Sequence, residues 1–342
     1  MVTNVRYSLR WTRRSVLSAS LAAASGAMIS PASRTIAEDR GTAMNNEGDG
    51  EGVLQDSHVR LPDGRSLAFV EIGDRDGYPV FFFHGAPGSR LNLLPWTSEI
   101  AARNLRVIST DRPGYGGSSP RSDRTLADVA ADTVHLADAM GINRFIAAGH
   151  SSGGPYALSC AALAPHRITG TLVLAGVTDM GWAGAWEGFV EPEASLMRLP
   201  DEQSVIARCA DLFGEDGSRF FDAPGPELPD PDLVLLADAG FGHAMTQSMA
   251  EAFRQGVLGY AQDVFAQARP WPLDLRGVAA LVIVAHGAKD TFVPLAHSRH
   301  TGELFNGASV SILPGHGHIS ILGELPTLSA QVVHAREPRY RP

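Results

Sequence analysis

From residue 53 onward, short and almost continuous apolar runs alternate with longer stretches whose apolar residues recur at helical spacing. Runs without polar alternation, such as Val80-Phe81-Phe82-Phe83 and Leu281-Val282-Ile283-Val284, suit strands covered on both faces. The pattern predicts eight strands, at 58–61, 66–72, 80–83, 105–110, 145–148, 171–175, 281–285 and 309–313. A helix is predicted over 126–140, where the apolar residues Val129, Val134, Leu136 and Met140 recur at helical spacing before Gly141, and another over 154–164, ending at Pro165. Such alternation is the signature of an α/β fold with a mainly parallel sheet flanked by helices. Between Asp179 and Asp274 it breaks down into mostly helical patterns separated by Pro and Gly clusters. That stretch reads as an inserted helical domain at 179–275, dividing the core into 53–178 and 276–342.

The first residues follow a different pattern. Residues 1–37 carry five arginines and no acid, and an uncharged stretch of small and apolar residues follows the basic start. It is too weakly apolar for a stable membrane span, and its order of basic, apolar and small-residue regions is that of a signal peptide. Thr12-Arg13-Arg14-Ser15-Val16-Leu17 resembles the twin-arginine export motif, which implies the twin-arginine machinery as a partner and a periplasmic or extracellular location. A start at Met44 would instead leave a cytoplasmic protein. Residues 38–52 are acidic, Gly-rich and aperiodic, and read as a flexible linker.

Composition narrows the function. The 342 residues are 44% hydrophobic and 19% charged, as in a globular protein with a sizeable core. A net charge of −9 argues against nucleic-acid partners, because a phosphate backbone demands a basic face. Of that acidity the predicted insert holds most, with 17 acids against 5 arginines, either as a solvated face or for recognition of cationic substrates. Lys289 is the one lysine, which leaves Schiff-base chemistry almost without candidates. Cys160 and Cys209 are too few for a disulfide framework or a thiolate zinc site and read as buried packing. Neither a GxxxxGK[ST] phosphate loop nor an HExxH zinc motif occurs, so no cofactor or metal is expected.

The chemistry concentrates at strand ends. Gly149-His150-Ser151-Ser152-Gly153-Gly154 lies between a predicted strand and a predicted helix, the context of a nucleophile elbow. Ser151 has glycines two positions away on both sides, as the sharp turn requires. Ser152 would need a small residue at position 150, where His stands. The helix N-terminus that follows would aim the Ser152 N–H at a developing oxyanion. Asp290 falls just past the seventh predicted strand, and Asp179, after the sixth, is the alternative acid. Leu313-Pro314-Gly315-His316-Gly317-His318 follows the last strand and offers two bases. His318 is preferred because the apolar residues 319–322 anchor its loop, with His316 as the alternative. After the third strand, His84-Gly85-Ala86-Pro87-Gly88 forms a tight loop whose Ala86 N–H is the second candidate oxyanion donor.

Together with Asp111-Arg112-Pro113-Gly114-Tyr115-Gly116-Gly117-Ser118 after the fourth strand, these motifs resemble the α/β-hydrolase superfamily, in the serine branch with a helical cap after the sixth strand. The resemblance implies Ser151 as nucleophile, His318 as base, Asp290 as acid, the Ala86 and Ser152 amides as the oxyanion hole, and the cap as a roof over the pocket. It also implies that Asp111 and Arg112 brace their loop. The expected activity is cofactor-free hydrolysis of a small-molecule ester, thioester or lactone-like carbonyl through an acyl-enzyme. Alternatives are an iminopeptidase-like aminopeptidase, since the His84 loop is similar to that group's His-Gly-Gly-Pro-Gly, a perhydrolase with the same triad, and a noncatalytic binding protein on the same fold.

Overall fold

The computed structural model describes residues 34–35 and 57–337, apart from positions 224, 272, 274, 276, 277 and 279. Except for Arg34–Thr35, the expected leader at 1–37 and linker at 38–52 lie outside the described residues. Eight strands form one sheet: β1 Ser57–Arg60, β2 Ser66–Gly73, β3 Tyr78–Phe83, β4 Leu105–Thr110, β5 Phe145–His150, β6 Ile168–Leu174, β7 Leu281–Gly287 and β8 Ser309–Leu313. Their order is β1-β2-β4-β3-β5-β6-β7-β8, and a two-residue ninth strand, Arg34–Thr35, pairs parallel with Ser57 and His58 outside β1. β2 runs antiparallel to β1 and β4, and every other pairing among the eight is parallel.

Alternate residues of the central strands enter two cores, which explains their unbroken apolar character. Phe81, Phe83, Phe145 and Ala147 face one core, completed by helices α2 Leu126–Ala139 and α3 Gly154–Leu163; Val80, Phe82, Ile146 and Ala148 face the other, under α1 Thr97–Ala101. Thr125 and Asp128 start α2 with a reciprocal capping box. β6 begins at Ile168, three residues before the expected start. Thr169 and Gly170 hide the strand from an apolar-run reading, yet Thr169 is buried with its hydroxyl 2.6 Å from the Tyr78 hydroxyl.

Every described element between β6 and β7 is helical: α4 Glu193–Met197, α5 Glu202–Phe213, α6 Asp230–Ala237, α7 Ala239–Ala252 and α8 Leu258–Gln267, with short turns at Ala183–Trp186 and Phe220–Asp222. Val205, Cys209 and Phe213 of α5 and Tyr260 and Val264 of α8 pack with Tyr115 and Val177 of the sheet loops. After β7 come α9 Leu295–Glu303 and, following β8, α10 Leu325–Arg336, whose Leu325, Leu328 and Val332 complete the second core. Both cysteines are buried thiols. No described helix is long and apolar enough to cross a membrane.

Candidate active site

The end of β5 turns within one residue. Ser151 has φ +53°, a left-handed conformation rare and strained for a residue with a side chain. The fold holds it there by close approach of backbone. A Cβ on Gly149 would sit 2.1 Å from the Gly153 carbonyl oxygen, and one on Gly153 would sit 2.0 Å from that of Phe83. Only glycine fits at either position. A 3-10 turn over Ser151–Gly153 then leads into α3, with Pro155 in its first turn. Gly85 of the loop after β3 packs on the elbow, where a Cβ would meet the Ser151 Cβ at 3.4 Å. Ala86, Ser151, Ser152 and His318 line a common cavity of about 60 Å³.

His318 is held from four directions. Its Nδ1 lies 2.8 Å from Asp290 Oδ2, its backbone N–H donates to Asp232 at 2.9 Å, and its carbonyl oxygen accepts from His150 Nε2 at 2.8 Å. The rings of His150 and Phe292 pack against the imidazole, with centroids 4.7 and 4.9 Å away. Asp290 is buried, and burial alone would raise its pKa. The neighbouring His318, His286 and the backbone N–H groups of Phe292 and Val293, donating at 2.7 and 3.0 Å, outweigh that and hold it below the ordinary carboxylate value. Asp290 is therefore an anion and an acceptor, so the proton between it and His318 sits on Nδ1 and the Nε2 lone pair is left to act as a base.

The alternative residues point elsewhere. Asp179 Oδ1 accepts the Gly181 N–H at 2.9 Å, and His316 Nε2 lies 3.2 Å from Glu324. The structure thus brings together Ser151, His318 and Asp290, flanked by Ala86 and Ser152, and leaves Asp179 and His316 out of that set.

Several supporting residues escaped the sequence reading. His150 enters it only as a bulky neighbour of Ser151, yet it is buried, kept neutral by that burial with a pKa lowered to about 3, and bonded to the His318 backbone. His286 is likewise buried and held below its ordinary pKa. Its Nε2 lies 3.0 Å from the Val293 carbonyl and 3.3 Å from Asp290 Oδ2. Asp232, in the first turn of α6, accepts the N–H groups of His318, Ile319 and Ser320 at 2.9, 3.0 and 2.8 Å. Its carboxylate fills the concavity those three amides form.

A second buried network fastens the insert. Asp263 of α8 is fully buried and takes Arg112, Arg124, Tyr115 (3.0 Å) and Tyr156 (2.7 Å). The two guanidinium groups outweigh burial and hold its pKa far below the ordinary value. Arg112 also donates to the carbonyls of His84 and Gly85, so one cation ties α8 to the loop that carries Ala86. Asp111 takes the Arg90 backbone and guanidinium at 2.7 and 2.5 Å and the Gly117 N–H at 2.9 Å. The expected bracing role of Asp111 and Arg112 thus extends to the loop after β3 and to α8.

The cavity beside Ser151 and His318 has two arms. The larger, about 160 Å³, is lined by side chains such as Phe220, Phe221, Leu236, Met245 and Met249 of the insert. The smaller adds Val177, Val190, Tyr260 and Gln267. Glu193 lines both, and its Oε1 accepts the Tyr260 hydroxyl at 3.0 Å.

The sequence model of the alpha/beta hydrolase family matches residues 80–334, and the chain belongs to that family. The chain is 31% identical over 265 residues to the dihydrolipoyllysine-residue acetyltransferase component of the acetoin cleaving system of Pseudomonas putida. That match covers 75% of this chain and 62% of the relative, so the chain spans less than two thirds of its length. It is 27% identical over 275 residues to a non-heme chloroperoxidase of Streptomyces lividans, covering 77% of this chain and 93% of the relative. A carboxylesterase structure from Nitrososphaera gargenis shares the fold at a TM-score of 0.62 and 17% identity, over 83% of this chain and 100% of that one. Family and fold define an α/β-hydrolase enzyme.

Proposed function

We propose that the protein is an exported serine hydrolase of small esters, thioesters or lactones. Ser151 Oγ attacks the carbonyl carbon while His318 Nε2 takes its proton, and Asp290 stabilises the resulting imidazolium. The backbone N–H groups of Ala86 and Ser152 receive the oxyanion. His318 returns the proton to the leaving oxygen or sulfur, then activates a water that releases the acid from Ser151. The observation that carries this reading is the 2.8 Å contact between His318 Nδ1 and an ionised Asp290, with Ser151 on the wall of the same cavity. The mostly apolar larger arm supports an uncharged substrate.

Glu193 favours a second reading, an iminopeptidase-like aminopeptidase in which that carboxylate receives a free amine. Turnover of p-nitrophenyl acetate and butyrate compared with prolyl p-nitroanilide separates the two. Ester hydrolysis is expected to dominate, and turnover of the prolyl amide alone would replace the first reading with the second. Export rests on the Arg13-Arg14 leader: replacing both arginines by lysine is expected to retain the protein inside the cell, and unchanged export would refute the twin-arginine route.

A further inference from the structure

Ala86, Ser151, Glu193, Phe292 and His318 line both arms, so the arms meet at the reacting centre. They differ in chemistry. Beyond the shared residues, and apart from Asn92 and His150, the larger arm is lined by glycine, hydrocarbon, aromatic and thioether side chains. The smaller arm contains Gln267, which is 1% exposed and whose carboxamide oxygen and nitrogen both lack a hydrogen-bond partner among the described residues.

A buried carboxamide with neither donor nor acceptor met is uncommon in a native protein and calls for an explanation. Disorder of the supporting helix does not supply one. Gln267 is the last residue of α8, one turn beyond Asp263 and on the same face, and Asp263 is clamped by Arg112, Arg124 and two tyrosines. Gln267 therefore stands on a rigid support and lines a space of about 60 Å³, room for a few water-sized positions.

We infer that the smaller arm is a subsite for a neutral donor–acceptor group of the substrate, such as a primary carboxamide, whose N–H and carbonyl pair with Gln267, while the larger arm takes a hydrocarbon portion. The inference rests on the serine-hydrolase reading and adds a substrate class to it. A site built to pair a polar group discriminates strongly against an analogue lacking it, because its own polar atoms are then left unmet.

The test uses the full chain and two series of p-nitrobenzoyl and p-nitrophenyl esters, one with the chain on the alcohol and one with it on the acid. In each, a terminal carboxamide is compared with the isosteric isopropyl terminus. The readout is the ratio of kcat/KM for amide over hydrocarbon within each protein, which cancels any general loss of activity. The wild type is expected to prefer the carboxamide at least tenfold in one series. Gln267→Leu is expected to bring that ratio to one or below, and Gln267→Met, which keeps length and flexibility, to do the same if the leucine variant folds poorly. A wild-type ratio near one in both series, the result expected if the arm holds only water, would overturn the inference, as would a preference that survives both substitutions. Wild-type protein that hydrolyses no ester and takes no fluorophosphonate label would instead overturn the hydrolase reading itself. Labelling of Ser151 with unchanged discrimination would overturn the subsite alone.

Discussion

Asp232 belongs to the insert, yet its carboxylate holds the loop that carries His318. Oδ2 accepts the N–H groups of His318 and Ile319, and Oδ1 that of Ser320. In Asp232→Asn the amide oxygen can keep the first pair only by turning its NH₂ toward the Ser320 N–H; in the reverse orientation it loses two donors. A hydrogen bond to a charged group contributes about 1.5–3 kcal/mol, and a buried donor left unmet costs about 1–3 kcal/mol. The milder orientation therefore weakens the hold on the 318–320 loop by about 2–3 kcal/mol. A displacement of a catalytic group by about 1 Å lowers rate roughly 10²-fold. We predict that kcat for p-nitrophenyl acetate falls 10- to 100-fold. KM should change by less than about threefold, because Asp232 lines neither arm of the cavity. Steady-state kinetics beside a thermal melt decide the matter. A variant with its melting temperature lowered and kcat within twofold of wild type would show that Asp232 supports the fold without positioning His318.

Further outcomes follow from burial and charge. Gly153→Ala places a Cβ 2.0 Å from the Phe83 carbonyl oxygen, against backbone that cannot swing away; it should lose about 3 kcal/mol or more and yield little folded protein. A variant as soluble and as active as wild type would refute the close approach. Asp263→Asn leaves Arg112 and Arg124 buried without their anion, at a cost of about 3–5 kcal/mol, read as a fall in melting temperature of roughly 6 °C or more. A melt unchanged within 2 °C would contradict that assignment. Burial holds His84, His150, His286 and His297 below the ordinary histidine pKa, His150 at about 3 and His297 at about 4. The unfolded chain, with histidine pKa values of about 6.5, binds more protons. Stability present at neutral pH should then fall as pH drops below ~6.5, by about 1.4 kcal/mol per pH unit for each histidine still neutral. Urea midpoints that stay flat from pH 7.5 to 5 would refute it.

How far the sequence reveals this structure depends on the range of each interaction. β3 and β7 are legible because strands covered on both faces must be apolar at every position, and the elbow is legible because its glycines and serine lie within five residues. Asp290 and His318 are legible as turn residues after strands, in the chain order that the serine elbow implies. The preference for Asp290 over Asp179, and for His318 over His316, is drawn from neighbouring residues in the sequence, whereas the contact that pairs Asp290 with His318 forms only when the sheet brings the two strand ends together. Asp232, His150 and Gln267 carry no local signal. Asp232 lies 86 positions from the amide it holds and His150 168 positions from the carbonyl it meets, and Gln267 resembles any polar residue at a helix end until its burial is known. The acidity of the insert divides in the same way. Most of it faces solvent, whereas Asp232, Asp263 and Glu193 turn inward to hold the His318 loop, anchor α8 and line the cavity.

Covalent labelling of the full chain with a fluorophosphonate, followed by intact mass and peptide mapping, tests the proposed mechanism most directly. One phosphonyl adduct per chain on Ser151 is predicted, absent in Ser151→Ala and formed far more slowly in His318→Ala. Labelling at Ser152, labelling that survives Ser151→Ala, or no labelling of the folded wild type would contradict it.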